Sequence, residues 1–109
     1  MTVLSGYRIM WMLVMFDLPV LTAQERKEAN AFRRALLNLG FERAQFSVYL
    51  RFCPGKEKVQ ALTKRIKTLL PTGGQVDILM FTDKQYGNIV SFSSRERSRR
   101  GKPEQLTLF

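Results

Sequence analysis

The chain has 109 residues, with 18 Lys and Arg against 9 Asp and Glu, a net charge of +9. That length fits one domain whose core needs neither disulfides nor zinc, and the single cysteine, Cys53, has no partner within the chain. Histidine is absent, which excludes a Ser-His-Asp triad, a Cys-His pair and a histidine general base, and a zinc site is not expected from one cysteine and no histidine.

The positive excess points to a polyanionic partner, of which nucleic acid is the commonest. A lone cysteine suits a cytoplasmic protein. The one long apolar stretch is too short to span a bilayer, and no basic segment precedes it. Neither an export signal nor a membrane partner is expected.

Residues 8–16 read as the first strand, because Ile9-Met-Trp-Met-Leu-Val-Met-Phe16 is an unbroken apolar run. Both of its faces are apolar. A sheet with one solvated face should alternate, so helices are expected on one side and a second copy of the chain on the other. Asp17 is the first charge after the run and precedes Leu18-Pro19. Pro19 lacks an N–H and biases Leu18 away from helix, so the chain leaves the strand at Asp17. A carboxylate there sits on a rigid element yet can face solvent, which suits a metal ligand. The structural alternative is a turn-capping aspartate.

Thr22-Ala-Gln-Glu25 has the spacing of a capping box. A helix follows with Ala29, Phe32, Leu36 and Leu39 on one stripe, closed by Gly40. Residues 41–53 are long for one strand and divide into a short strand near 42–45 and a longer one at 47–53, with a bend or bulge near Phe46. After Pro54-Gly55, a second helix over 56–70 carries Val59, Leu62, Ile66 and Leu69 on one face. Residues 75–82 form another strand, Asp83–Asn88 a turn, and Ile89–Ser93 a last short strand. The order is β-α-β-β-α-β plus one. This is an α+β, ferredoxin-like sandwich with an antiparallel sheet and an extra C-terminal strand.

The composition changes after Ser94, which divides the chain into a folded domain, 1–94, and an extension, 95–109. Arg95–Lys102 is basic and lacks apolar residues, so it is not expected in the core. Leu106, Leu108 and Phe109 end the chain with an apolar alternation that could add a strand to another chain's sheet edge. A frayed terminus is the equal alternative.

Phe16-Asp17-Leu-Pro after an apolar strand, Gly40-Phe-Glu-Arg43 and Gln45-Phe-Ser-Val-Tyr49 together resemble the CRISPR-associated protein two family, over residues 8–94 in order and spacing. The Leu-Pro step into a long helix approach, and the Pro-Glu-Gln-Leu-Thr-Leu-Phe ending, resemble members from type II systems. The resemblance implies a ferredoxin-like homodimer and a metal-dependent endonuclease acting on single-stranded RNA or duplex DNA. It also implies an adaptor that bridges the CRISPR integrase during spacer acquisition, a role that does not need cleavage in part of the family. The family's aspartate carries over to Asp17, and positions near its dimer interface carry over to Arg43, Ser47 and Tyr49, with Phe16 beside them. The family's basic residue early in the first helix has no secure counterpart; Arg26 and Lys27 are the candidates.

Phosphodiester cleavage needs a positioned water and a stabilised pentacovalent charge. Mg²⁺ can supply both, usually held by one or two carboxylates plus waters and substrate phosphate. One Asp17 per chain is a thin site; two copies facing each other across a twofold axis would supply two carboxylates. The remaining acids fit less well: Asp77 reads as a solvated strand residue, Asp83 as a turn former, and Glu25 and Glu28 as early-helix acids favoured by the dipole. Arg26, Lys27, Arg33, Arg34, Arg43 and Arg51 could together line a phosphate track, although any one alone reads as a solvated side chain. Tyr49 and Phe46 could stack on bases, but strand aromatics are usually core, and core is the expectation here. Met10, Met12 and Met15 read as core or dimer interface. An integrase-associated DNA adaptor, a Mg²⁺-dependent nuclease and a stand-alone RNA-binding or ribonuclease module remain the competing functions.

Overall fold

The computed structural model describes residues 9–94. Four strands and two long helices follow the expected order: β1 (Met10–Asp17), α1 (Ala23–Asn38), β2 (Glu42–Gln45), β3 (Val48–Cys53), α2 (Lys56–Lys67) and β4 (Gln75–Thr82), with a short α3 (Asp83–Gly87) after them. The sheet order is β2-β3-β1-β4, and every neighbouring pair is antiparallel. Strand β3 lies between β1 and β2, the split arrangement of a ferredoxin-like sheet.

Alternation along β1 decides what lies on each face. Met10, Met12, Val14 and Phe16 are buried, and they pack with Phe32 and Leu36 of α1, Tyr49 and Cys53 of β3, and Val59, Leu62 and Ile66 of α2. Each such aliphatic or aromatic side chain contributes roughly 1.5–3 kcal/mol on burial. The odd-numbered residues, Trp11, Leu13, Met15 and Asp17, take the other face beside Val48, Leu50 and Phe52 of β3 and Gln75, Asp77, Leu79 and Phe81 of β4. No helix longer than α3 covers that face among the described residues, and Met15, Phe52 and Leu79 are exposed there.

The local signals act as the sequence requires. The Thr22 hydroxyl accepts from the Glu25 N–H at 3.0 Å, and the Glu25 carboxylate accepts from the Thr22 N–H at 3.0 Å, closing the capping box. Gly40 ends α1 with φ +93, the left-handed value that a C′ glycine supplies. The division of residues 41–53 is present: the register shifts between Arg43 and Gln45, and a turn at Phe46–Ser47 separates β2 from β3. Helix α2 stops at Lys67, short of residue 70. The Thr68 N–H and hydroxyl both donate to Arg65 O, which tightens the end ahead of Pro71.

The segment after β4 differs from expectation. Residues 83–87 are a helix, because Thr82 and Gln85 form a second capping box. Residues 89–93 form no strand, so the extra C-terminal strand is absent from the single described chain. Strand β4 lies at the edge of the sheet, and α3 turns the chain away from that edge across the open face. Ile89, Val90 and Phe92 are therefore left without a strand to pair with, and all three are exposed. Arg8, the basic run 95–102 and the tail residues Leu106, Leu108 and Phe109 lie outside the described residues.

Candidate functional site

Asp17 is the last residue of β1, and its side chain is exposed on the open face. Its neighbour Phe16 fixes the strand end from the other side. The Phe16 ring is edge-on to Phe32 at 5.2 Å and stacked on Tyr49 at 5.7 Å. The Phe16 N–H donates to Ser47 O at 3.1 Å, tying β1 to the turn before β3. Phe16 and Tyr49 are thus buried supports on the helix side rather than surfaces for a partner. Ser47, half-buried, is the member of that trio at the edge.

On the other flank, Asp17 pairs with Gln75 of β4. Gly74, at φ +89, lies so close that a Cβ built on it would stand 2.5 Å from Asp17 O and 2.9 Å from Leu18 Cδ2. Only glycine permits both that backbone conformation and that approach. Gly74 therefore sets where Asp17 leaves the sheet. The Gln75 amide donates to both Asp77 oxygens, at 3.1 and 3.4 Å, so Asp77 is held within its own strand.

The six basic candidates divide into braces and exposed groups with no hydrogen bond among the described residues. Arg26 Nη1 donates to the carbonyls of Val20 and Leu21, each at 3.1 Å, and braces the loop between β1 and α1. Arg51 Nε donates to Leu39 O at 2.8 Å and its Nη1 to Phe52 O at 2.9 Å, placing a cation at the C-terminal end of α1, where the helix dipole favours it. Arg33 Nη2 donates to Ser47 Oγ at 3.2 Å, while its guanidinium lies over the rings of Phe16 and Phe46, at 5.3 and 4.3 Å from their centroids. Arg43 stands 5.8 Å from the Phe46 ring. Lys27, Arg34 and Arg43 are exposed.

Phe46 departs from the core expectation: it is 68% exposed, whereas Tyr49 is 2% exposed. A bulge re-aims the side chains that follow it, and the register shift in β2 is the local cause. Trp11 was also more than an apolar strand residue. Its indole N–H donates to Asp83 Oδ1 at 2.8 Å, and its ring stacks on Tyr86 at 3.9 Å, which docks α3 on the open face. No periodicity in the sequence links residues 11, 83 and 86.

Metal fit rests on the donor set. Among the described residues, no three His, Cys, Asp or Glu side chains converge. Asp17 offers an exposed carboxylate at the end of β1, while Asp77, exposed on the same face, is bonded to Gln75; one such carboxylate suits Mg²⁺ only as part of a mostly hydrated shell. A single chain therefore supplies part of such a site.

Comparison with known proteins agrees with this architecture. The profile described as "CRISPR associated protein Cas2" matches residues 10–89. A Paracidovorax avenae protein named "CRISPR-associated endoribonuclease Cas2" is 54% identical over 107 residues, covering 97% of this chain and 99% of its own. A protein of the same name from Flavobacterium psychrophilum is 45% identical, covering 99% of this chain and 95% of its own. A solved structure described as "Crystal structure of cas2" shares the fold at a TM-score of 0.57 with 21% identity, over 84% of this chain and 95% of that one. The apolar strand ending in Asp17, the split antiparallel sheet and these full-length relatives lead to one conclusion: the chain belongs to the CRISPR-associated protein Cas2 family.

Proposed function

We propose that the protein works as a homodimer in which two open sheet faces meet, bringing two copies of Asp17 together as a Mg²⁺ site, and that this dimer is a nucleic-acid-binding adaptor for the CRISPR integrase in spacer acquisition. The observation that carries the reading is the open face itself. Leu13, Met15, Leu79 and Phe52 form an apolar surface on the face where Asp17 is exposed. Contiguous exposed apolar surface marks an interaction site, and an isologous partner offers the same surface in return. Exposed Ile89, Val90 and Phe92 add apolar surface after α3.

Divalent metal, when bound, supplies charge neutralisation at the scissile phosphate and a more acidic water. Asp17 is the residue to hold it, and the paired copy supplies the second carboxylate. Lys27, Arg34 and Arg43 are free to meet phosphates. Arg26, Arg33 and Arg51 act mainly by holding the loop, the turn and the helix end on which the site is built. With no histidine in the chain, proton transfer falls to solvent, carboxylates or the basic residues. The name borne by the relatives, an endoribonuclease, favours single-stranded RNA as a second substrate class beside duplex DNA. No helix of the described residues is long and apolar enough to cross a membrane.

The test is Asp17→Ala, assayed for Mg²⁺-dependent cleavage of RNA and DNA, for dimer mass, and for spacer acquisition. The expected result is lost cleavage with dimerisation and acquisition retained. Cleavage that survives in the purified variant would remove Asp17 from the site. Acquisition lost with the dimer intact would overturn the adaptor role.

A further inference from the structure

We infer that Phe46 is a stacking platform for an unpaired nucleobase, so that this surface selects single-stranded over duplex nucleic acid. The inference rests on the nucleic-acid reading above and extends it to a ligand class and a residue. Phe46 stands at the turn between β2 and β3 and is 68% exposed, although apolar residues on either side, Phe41 and Tyr49, are each 2% exposed. The register shift between Arg43 and Gln45 breaks the alternation that would have continued into the core.

The ring is held from beneath. The Arg33 guanidinium lies 4.3 Å from its centroid and 5.3 Å from that of Phe16. The guanidinium thus contacts both rings, and Phe46 remains 68% exposed above the buried Phe16. Arg33 is fixed by its bond to Ser47 Oγ, and its Nε is buried without a hydrogen-bond partner, so this guanidinium is packed as a support. Arg43, exposed, is a second cation over the ring, 5.8 Å from its centroid.

A flat π-surface with a cation beside it matches a base attached to a phosphate. Base–aromatic stacking is tolerant of sequence because every base has a π-face. Bases inside a duplex are already stacked and cannot reach such a ring, so the occupant is a single strand. An apolar protein segment would fit the ring but not the flanking cation.

The experiment uses the full chain in EDTA, with a mixed-sequence single-stranded RNA and a duplex DNA of equal length, both read by fluorescence anisotropy. Phe46→Leu removes the π-face while keeping an apolar side chain, and Phe46→Trp keeps stacking. Phe46→Leu should weaken RNA binding about tenfold, within the range for loss of one base–aromatic stack, and duplex binding less than about twofold. Phe46→Trp should bind RNA like the parent. The salt dependence of Phe46→Leu should match the parent, because no phosphate contact is lost. RNA affinity unchanged in Phe46→Leu overturns the inference. Equal losses on RNA and duplex also overturn it, because the ring would then act in the fold or between copies. If Arg43→Ala weakens both probes while Phe46→Leu weakens neither, the stacking site fails and the nucleic-acid reading stands. A parent that binds neither probe overturns both.

Discussion

Gly74→Ala is the substitution that most directly links the fold to the site. At φ +89, an alanine Cβ would meet Asp17 O at 2.5 Å, Leu18 Cδ2 at 2.9 Å and Leu18 Cα at 3.0 Å. Two of those atoms are backbone, so a rotamer change cannot relieve them. Ordinary contact begins near 3.4 Å, so the Asp17 carbonyl and residue 74 would have to separate by 3.4 − 2.5, about 0.9 Å. The left-handed conformation costs an L-residue roughly 1–2 kcal/mol, and overpacking adds roughly 1–3 kcal/mol. The expected loss is roughly 2–5 kcal/mol. For a domain near this size that lowers Tm by roughly 10 °C or more, readable by circular dichroism. Gly87→Ala is the matched control, since nothing lies within 4 Å of a Cβ there; its Tm should stay level or rise slightly. A Gly74→Ala protein melting within about 2 °C of the parent would show that the loop shifts freely, and that Gly74 does not place Asp17.

Thr22→Ala removes the hydroxyl that accepts from the Glu25 N–H at 3.0 Å and should cost about 1 kcal/mol, with Thr22→Asp close to neutral; urea titrations of the two variants decide it. The Glu28 carboxyl is held below its ordinary value of 4.5, first by the Gln24 side-chain amide and then by the Thr72 N–H and hydroxyl. A depressed folded-state value means that this contribution is complete above the unfolded value and is lost as pH falls through the folded one. The Tm gap between the parent and Glu28→Gln should therefore narrow between about pH 6 and pH 3, and a gap independent of pH would refute the assignment.

Much of the fold was legible because its signals are local. The apolar run ending at Asp17, the Thr22–Glu25 box, the Ala29–Phe32–Leu36 stripe and the Val59–Leu62–Ile66 stripe each lie within a few residues, and each became the expected element. The failures share one cause. Residues 89–93 have strand composition, but a strand forms only beside an available edge, and α3 leads this segment away from β4. Phe46 has core composition, but one register shift turned it outward.

The candidate site shows the same division. Asp17 was identifiable by its position after the strand and before Leu18-Pro19. The basic residues were identifiable only as a set. Whether an arginine braces a carbonyl or stands free depends on what lies across from it: Leu39 O faces Arg51, and Val20 O and Leu21 O face Arg26.

The sequence by itself determined the element order, the two helix stripes, the exit of the chain at Asp17 and the excess of positive charge, because periodicity, capping and composition are read along the chain. Only the tertiary structure decided that Gly74 abuts Asp17, that Trp11 bonds Asp83, and that Phe46 rests on Arg33 in the open. Those contacts join residues up to 72 positions apart, and their geometry exists only once the sheet has set which strands are neighbours.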